Sequence, residues 1–248
     1  MIDMTRRGML AMAGAMALPG VAVATQEPKK LKLIFAGAHP DDMETAAGGT
    51  MARYADQGHD VVALYLTRGE AGMKGKSHAE AAAIRSAQAE KACEILKIRP
   101  RFFGQIDGTT EVNPARYDEF RKVILEERPD LVFTWWPMNS HRDHRAAFTL
   151  VYDAWLKSKY GFDLYFFENA GTQLFHPTHY VDITATEARK REACFTHTWY
   201  KDRPDLDLWT NVDVMHRYRG LEAGCKYAEA FVHHSLNRQD LPSRLEVK

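Results

Sequence analysis

Short apolar runs alternate with longer amphipathic segments along most of this chain. Residues 31–37, 60–67 and 131–136 are strand-length runs, each nearly free of charge inside, and 101–103 is a shorter one. Between them lie segments with helical spacing and helix punctuation. Residues 45–57 end at Gly58. Ser77 with Glu80 three residues on forms a capping box, and Ala89, Ala92, Cys93 and Leu96 then recur on one face. Asn113-Pro114 caps and opens a helix that runs to about residue 128, and another covers 145–159. Strands alternating with helices of this length predict βαβ units, a mostly parallel sheet flanked by helices, and right-handed crossovers. After Gly161 the rhythm changes: strands are expected at 163–167 and 180–184, and helices at 187–198 and 215–232. On the last helix Leu221, Gly224, Cys225 and Ala228 would share a face.

The ends of two of these strands carry unusual chemistry. The first runs into His39-Pro40-Asp41-Asp42, and the fourth into His141-Arg142-Asp143-His144. In an open α/β sheet, ligands bind outside the carboxyl ends of the strands. Brought side by side, these corners would make a mixed His/Asp metal site. A catalytic zinc keeps three protein ligands and leaves one position for water. His39, Asp42 and His144 are the candidate ligands. Adjacent aspartates cannot point the same way, so Asp41 is the candidate general base. His141 could stabilise an oxyanion from the same rim, and Asp143 could orient a histidine through its second ring nitrogen. A plainer role also fits: Asp41 and Asp42 could cap the helix at 45. The pairs His176/His179 and His233/His234 look like surface or loop histidines. The glycine-rich stretch 69–76 is a candidate mobile lid.

Charge narrows the partners. The 248 residues carry 33 basic and 33 acidic side chains, a formal net charge of +0. No basic excess is available for a phosphate backbone, which excludes nucleic acid as the main partner. Cys93, Cys194 and Cys225 are odd in number and widely spaced, so they form neither a disulfide framework nor a zinc-thiolate site. Residues 1–24 have a charged start with Arg6-Arg7, a short apolar run and a small-x-small end at Ala22-Val23-Ala24. This predicts a twin-arginine-like export signal, with the protein periplasmic or extracellular. The apolar run is too short to span a bilayer. Residues 25–30 read as a linker and 31–248 as a single domain.

Ala38-His39-Pro40-Asp41-Asp42-Met43-Glu44 followed by Gly48-Gly49-Thr50 resembles the opening signature of the LmbE-like (PIG-L) N-acetylglucosaminyl de-N-acetylases. The resemblance continues through Thr67-Arg68-Gly69-Glu70, Asp107-Gly108, Arg128-Pro129-Asp130, His141-Arg142-Asp143-His144, Val181-Asp182-Ile183-Thr184, Lys190 to His197 and Tyr227 to Phe231. It implies a Rossmann-like sheet, one zinc ion on His39, Asp42 and His144, Asp41 as base, and His141 at the oxyanion or as proton donor. It also implies substrate contacts from Arg68 and Asp107, and removal of an acetyl group from a small amino-sugar or glycan. The pattern departs where His197 is followed by Thr198-Trp199-Tyr200 and where the fourth strand ends in Trp135-Trp136. Two other readings remain at this point. One is a zinc amidase on another amide conjugate. The other is a non-catalytic sugar-binding protein using Trp135, Trp136, Trp155 and Trp199 as stacking platforms.

Overall fold

A computed structural model describes residues 29–202 and 207–235; the leader and most of the linker lie outside them. Seven strands form one sheet: β1 (Lys32–Gly37), β2 (Asp60–Thr67), β3 (Arg99–Gln105), β4 (Leu131–Trp135), β5 (Asp163–Phe167), β6 (His179–Asp182) and β7 (Ala228–His234). Their order is β3-β2-β1-β4-β5-β7-β6. The first five are parallel, and β7 pairs antiparallel with both β5 and β6. Among the described residues, six α-helices flank the sheet: α1 (Asp42–Asp56), α2 (His78–Leu96), α3 (Pro114–Glu126), α4 (Arg142–Lys157), α5 (Glu187–Cys194) and α6 (Leu208–Ala223). Helices α1, α2 and α5 pack together, and α3 packs on α4. The expected α/β sheet flanked by helices is therefore the observed one. No helix among the described residues is long and apolar enough to cross a membrane.

Chain direction explains where the site forms. From β1 the chain winds outward through β2 and β3, then returns to start β4 on the other side of β1. The boundary between β1 and β4 is thus a topological switch point. The register pairs Ala36 with Thr134, so the corners after Gly37 and Trp135 open beside each other. The core beneath them is aromatic: Phe35 stacks on Phe133 at 4.2 Å, and Phe133 meets Tyr165 and Phe231 at 5.1 and 5.2 Å.

Several expectations need correction. The first helix begins at Asp42, not 45, and the one expected over 187–198 ends at Cys194. The fourth helix begins at Arg142, not 145, with His141 as its N-cap. The final segment is not one helix over 215–232. Helix α6 stops at Gly224, in the left-handed region at φ 72°, and the chain returns as β7. Leu221 is 80% exposed, so the supposed shared face is not a core face. Both faces of β7 are buried at Ala228–Phe231, which removes the period-two signal, and its alanines and glutamate are good helix formers. Its far end carries His233 and His234, half-buried against Tyr165 and Trp155 at 4.7 Å each, and His179 opens β6. Of the four histidines set aside as surface or loop residues, only His176 lies on an exposed loop.

Candidate active site

The β1 corner is built around Asp42. Its Oδ2 accepts the backbone N–H groups of Ala38 (2.7 Å) and His39 (2.8 Å) and the indole N–H of Trp135 (3.3 Å). Its Oδ1 lies 3.2 Å from His144 Nε2. Gly37 is required here, because a Cβ would lie 2.2 Å from Met43 Sδ and 2.9 Å from Asp42 Cβ. Trp135 is fully buried and stacks flat on His144 at 4.0 Å, so it orients two site residues and is closed to a sugar. Trp155 is core, and Trp136 donates to the Gln173 carbonyl away from the cavity.

His39 sits between carboxylates. Its Nε2 is 3.1 Å from Asp107 Oδ1 and 3.3 Å from Asp143 Oδ2. Two flanking acceptors place the ring proton on Nε2 and leave the Nδ1 lone pair, 3.6 Å from Asp42 Oδ2. Asp143 is fully buried and also accepts from Gly108 N–H (2.8 Å) and Thr110 Oγ1 (2.7 Å). Asp107 holds His39 with one oxygen and accepts from Ala71 N–H with the other. His141 Nδ1 accepts the N–H of Asp143 at 3.2 Å, so its Nε2 carries the proton and is a donor.

Asp41 serves neither cluster. Its Oδ1 meets Arg85 Nη2 at 3.2 Å and its Oδ2 accepts the Trp199 indole N–H at 2.5 Å. Its backbone is at φ 111°, sparsely populated by side-chain-bearing residues, and its N–H is held by Glu44 Oε2. Strain of this kind costs about 1–3 kcal/mol and collects at functional sites. The carboxylate is aimed into the cavity at that cost.

These residues share one cavity of about 350 Å³. His39, Asp41, Asp42, Asp107, His141 and His144 line its floor. Arg68 does not line it; its guanidinium bonds Ser86 Oγ at 2.8 Å and lies over Phe102. Arg85 faces the cavity instead. The outer wall is Trp199, Val212, Met215 and Ala170, with the carboxamides of Asn169 and Asn211. Sequence reasoning singled out Trp199 but missed Arg85 and the rest of this wall. Arg85 had a signal: it lies four residues before Ala89 and four after Ala81, a cation on the alanine face of α2.

Electrostatics favour a cation on the floor. Burial disfavours charge on His39, yet Asp42, Asp107 and Asp143 outweigh it and hold the imidazole well above its usual pKa. Burial likewise opposes ionisation of Asp42, but His144 and His39 hold it well below the usual carboxylate range. Burial raises Asp41, with Arg85 working against it. Burial lowers His141, helped by His39 and His144. His39, His141 and His144 offer ring nitrogens within 4.8 Å of one another, and His144 Nδ1 is buried without a hydrogen-bond partner. At the site the buried carboxylates of Asp41, Asp42, Asp107 and Asp143 outnumber the one buried guanidinium, Arg85, and this excess of negative charge beside the ring nitrogens fits a divalent ion.

A family model described as PIG-L, GlcNAc-PI de-N-acetylase, matches residues 34–155. A diacetylchitobiose deacetylase from Thermococcus kodakarensis is 32% identical over 219 residues, 80% of this chain and 81% of that protein. The chain belongs to the PIG-L family. A second relative, the 1D-myo-inositol 2-acetamido-2-deoxy-alpha-D-glucopyranoside deacetylase of Rhodococcus erythropolis, is 30% identical over 234 residues, 77% of this chain and 76% of that protein. The N,N'-diacetylchitobiose deacetylase from Pyrococcus horikoshii has the same fold, with a TM-score of 0.73 at 23% identity over 82% of this chain and 83% of that one.

Proposed function

We propose that this PIG-L protein is a zinc-dependent hydrolase that removes the acetyl group from an N-acetylglucosamine-type sugar derivative. The observation that carries the reading is Asp41: a carboxylate held in a strained backbone, aimed into the cavity beside the His39–Asp42–His144 cluster. His39, Asp42 and His144 would hold the ion, which supplies Lewis-acid polarisation of the acetamide and lowers the pKa of water. The protein's own groups do the rest. Asp41 takes the proton of the attacking water. His141 Nε2–H donates a hydrogen bond to the developing oxyanion, and Asp41 hands the proton taken from water on to the departing amine. Asp107 and Asp143 fix the tautomer of His39, and Trp135 fixes Asp42 and His144. Acetamide and water become acetate and a free amine.

The outer wall suits a neutral substrate. Its polar groups are the Asn169 and Asn211 carboxamides beside Trp199, Val212, Met215 and Ala170, and the one guanidinium lining the cavity, Arg85, is engaged by Asp41 and the Pro40 carbonyl. Asn169 Oδ1 accepts from Asn139 Nδ2 and Gly171 N–H, which leaves its NH₂ as a donor for a hydroxyl. A pyranose ring offers an apolar face and hydroxyl edges of that kind. The test is acetate release from N-acetylglucosamine, its β-linked dimer and its inositol conjugate. Asp41→Asn should keep the metal and lose turnover; full turnover in that variant refutes the assignment of the base. The leader implies export, and detection of the full-length protein in the cytosolic fraction alone would argue against it.

A further inference from the structure

The hydrogen-bonding of Asp41 draws in Trp199, far from it in the chain. Both carboxylate oxygens have a fixed donor: Arg85 Nη2 on Oδ1 and the Trp199 indole N–H on Oδ2. Arg85 is itself immobilised by the Pro40 carbonyl at 2.5 Å and the Gly69 carbonyl at 3.3 Å, and Gly69 and Gly72 pack directly on its guanidinium. Trp199 opens a short 3-10 turn, Trp199–Asp202, and that segment is clasped to α2. Gln88 Nε2 donates to Thr198 Oγ1 at 2.7 Å, Gln88 Oε1 accepts Thr198 N–H at 3.3 Å, and the Gln88 carbonyl accepts Thr196 Oγ1. Gln88 is one turn after Arg85. One helix therefore references both donors to the same carboxylate, although Trp199 is 158 residues from Asp41 in sequence.

We propose that Trp199 is a positioning residue that fixes the plane of the Asp41 carboxylate through its indole N–H. The proposal rests on Asp41 being the base. The torsion that turns a carboxylate has a broad, two-fold profile, so a single donor leaves it free to rotate about that contact. A second donor on the other oxygen removes the freedom and presents one lone pair toward the floor. A misaligned base costs rate rather than substrate affinity. The same ring lines the cavity, so a wall role must be separated from a hydrogen-bonding one.

Trp199→Phe keeps an aromatic wall and removes the N–H. The expected result is a kcat lower by about 10–100-fold, the worth of one hydrogen bond to a charged group, with KM changed by less than about twofold and metal content unchanged. A raised KM with wild-type kcat would mean a wall alone and overturns the proposal. A second measurement needs no turnover. The chain has five tryptophans, and in 15N-tryptophan-labelled protein the Trp199 indole proton should resonate downfield of the others, with and without metal. Asp41→Asn should move that signal upfield; an unmoved signal overturns the proposal. If the wild type releases acetate from no substrate, the deacetylase reading falls, and the indole signal alone decides the positioning role.

Discussion

Replacing Asp143 separates its charge from its hydrogen bonds. Its Oδ2 serves His39 Nε2 (3.3 Å) and Gly108 N–H (2.8 Å), and its Oδ1 serves Thr110 Oγ1 (2.7 Å). In Asp143→Asn the carboxamide has one favourable orientation. Its oxygen must stay at Oδ2, where two N–H groups need an acceptor, and its NH₂ then faces Thr110, whose hydroxyl rotates to accept. Every bond survives and only the charge is lost. Asp143→Ala strips all three. Gly108 and Thr110 are only half-buried, so water replaces part of the loss, and the expected destabilisation is about 1–3 kcal/mol. For a chain of this size that corresponds to a fall in Tm of roughly 2–12 °C. Both variants weaken the support of His39, which is worth about 10–100-fold in metal affinity. Asn should fall at the lower end, because Asp107 still flanks Nε2. Thermal melts and competition with a zinc chelator read the two quantities separately. Equal melting temperatures for Asn and Ala would refute the bond-by-bond reasoning. Unchanged metal affinity in both would refute the role of Asp143 in holding His39.

Two further outcomes follow from groups remote from the floor. Glu127 meets Lys32, Arg99 and Arg101, which overcome the opposing effect of burial and hold its pKa at about 2, below the ordinary 4.5. A depressed carboxylate stabilises the fold above its unfolded pKa and loses that contribution as pH falls through the folded value. Glu127→Gln should therefore cost about 1–2 kcal/mol at pH 7, after allowance for solvent screening, and little near pH 2; a pH-independent difference in denaturant midpoint would contradict this. Lys190 and Glu229 are fully buried and paired, with Glu229 also holding the Gly49 and Thr50 N–H groups of α1. Lys190→Met strands that carboxylate and should cost about 3–5 kcal/mol, whereas a double change with Glu229→Gln should recover much of the loss. Urea titrations of the single and double variants check it, and equal midpoints for the two would count against the pairing.

Much of this site was legible because local pattern and chemistry coincided. His39, Asp41 and Asp42 follow one strand, and His141, Asp143 and His144 follow another. Period and punctuation identified both as parallel strands, and parallel sheets bind at such ends. The helix after the second strand was set three residues late because histidine is an uncommon cap; its true start puts His144 in the first turn, above Trp135. The strand β7 was hidden because burial of both faces erases alternation, and only its place between β5 and β6 decides its form.

The sequence by itself determined the strand–helix alternation, the two chemical corners and the lack of a net basic charge, since the first two depend on residues near one another in the chain and the third on composition alone. The tertiary structure alone decided that Arg85, not Arg68, faces the cavity, that Trp135 lies beneath the site while Trp199 lines it, and that Asp41 has a donor on each oxygen. Those contacts join residues 44 to 158 positions apart. Whether such groups meet depends on how whole layers pack and which way each helix turns, and no local period records that.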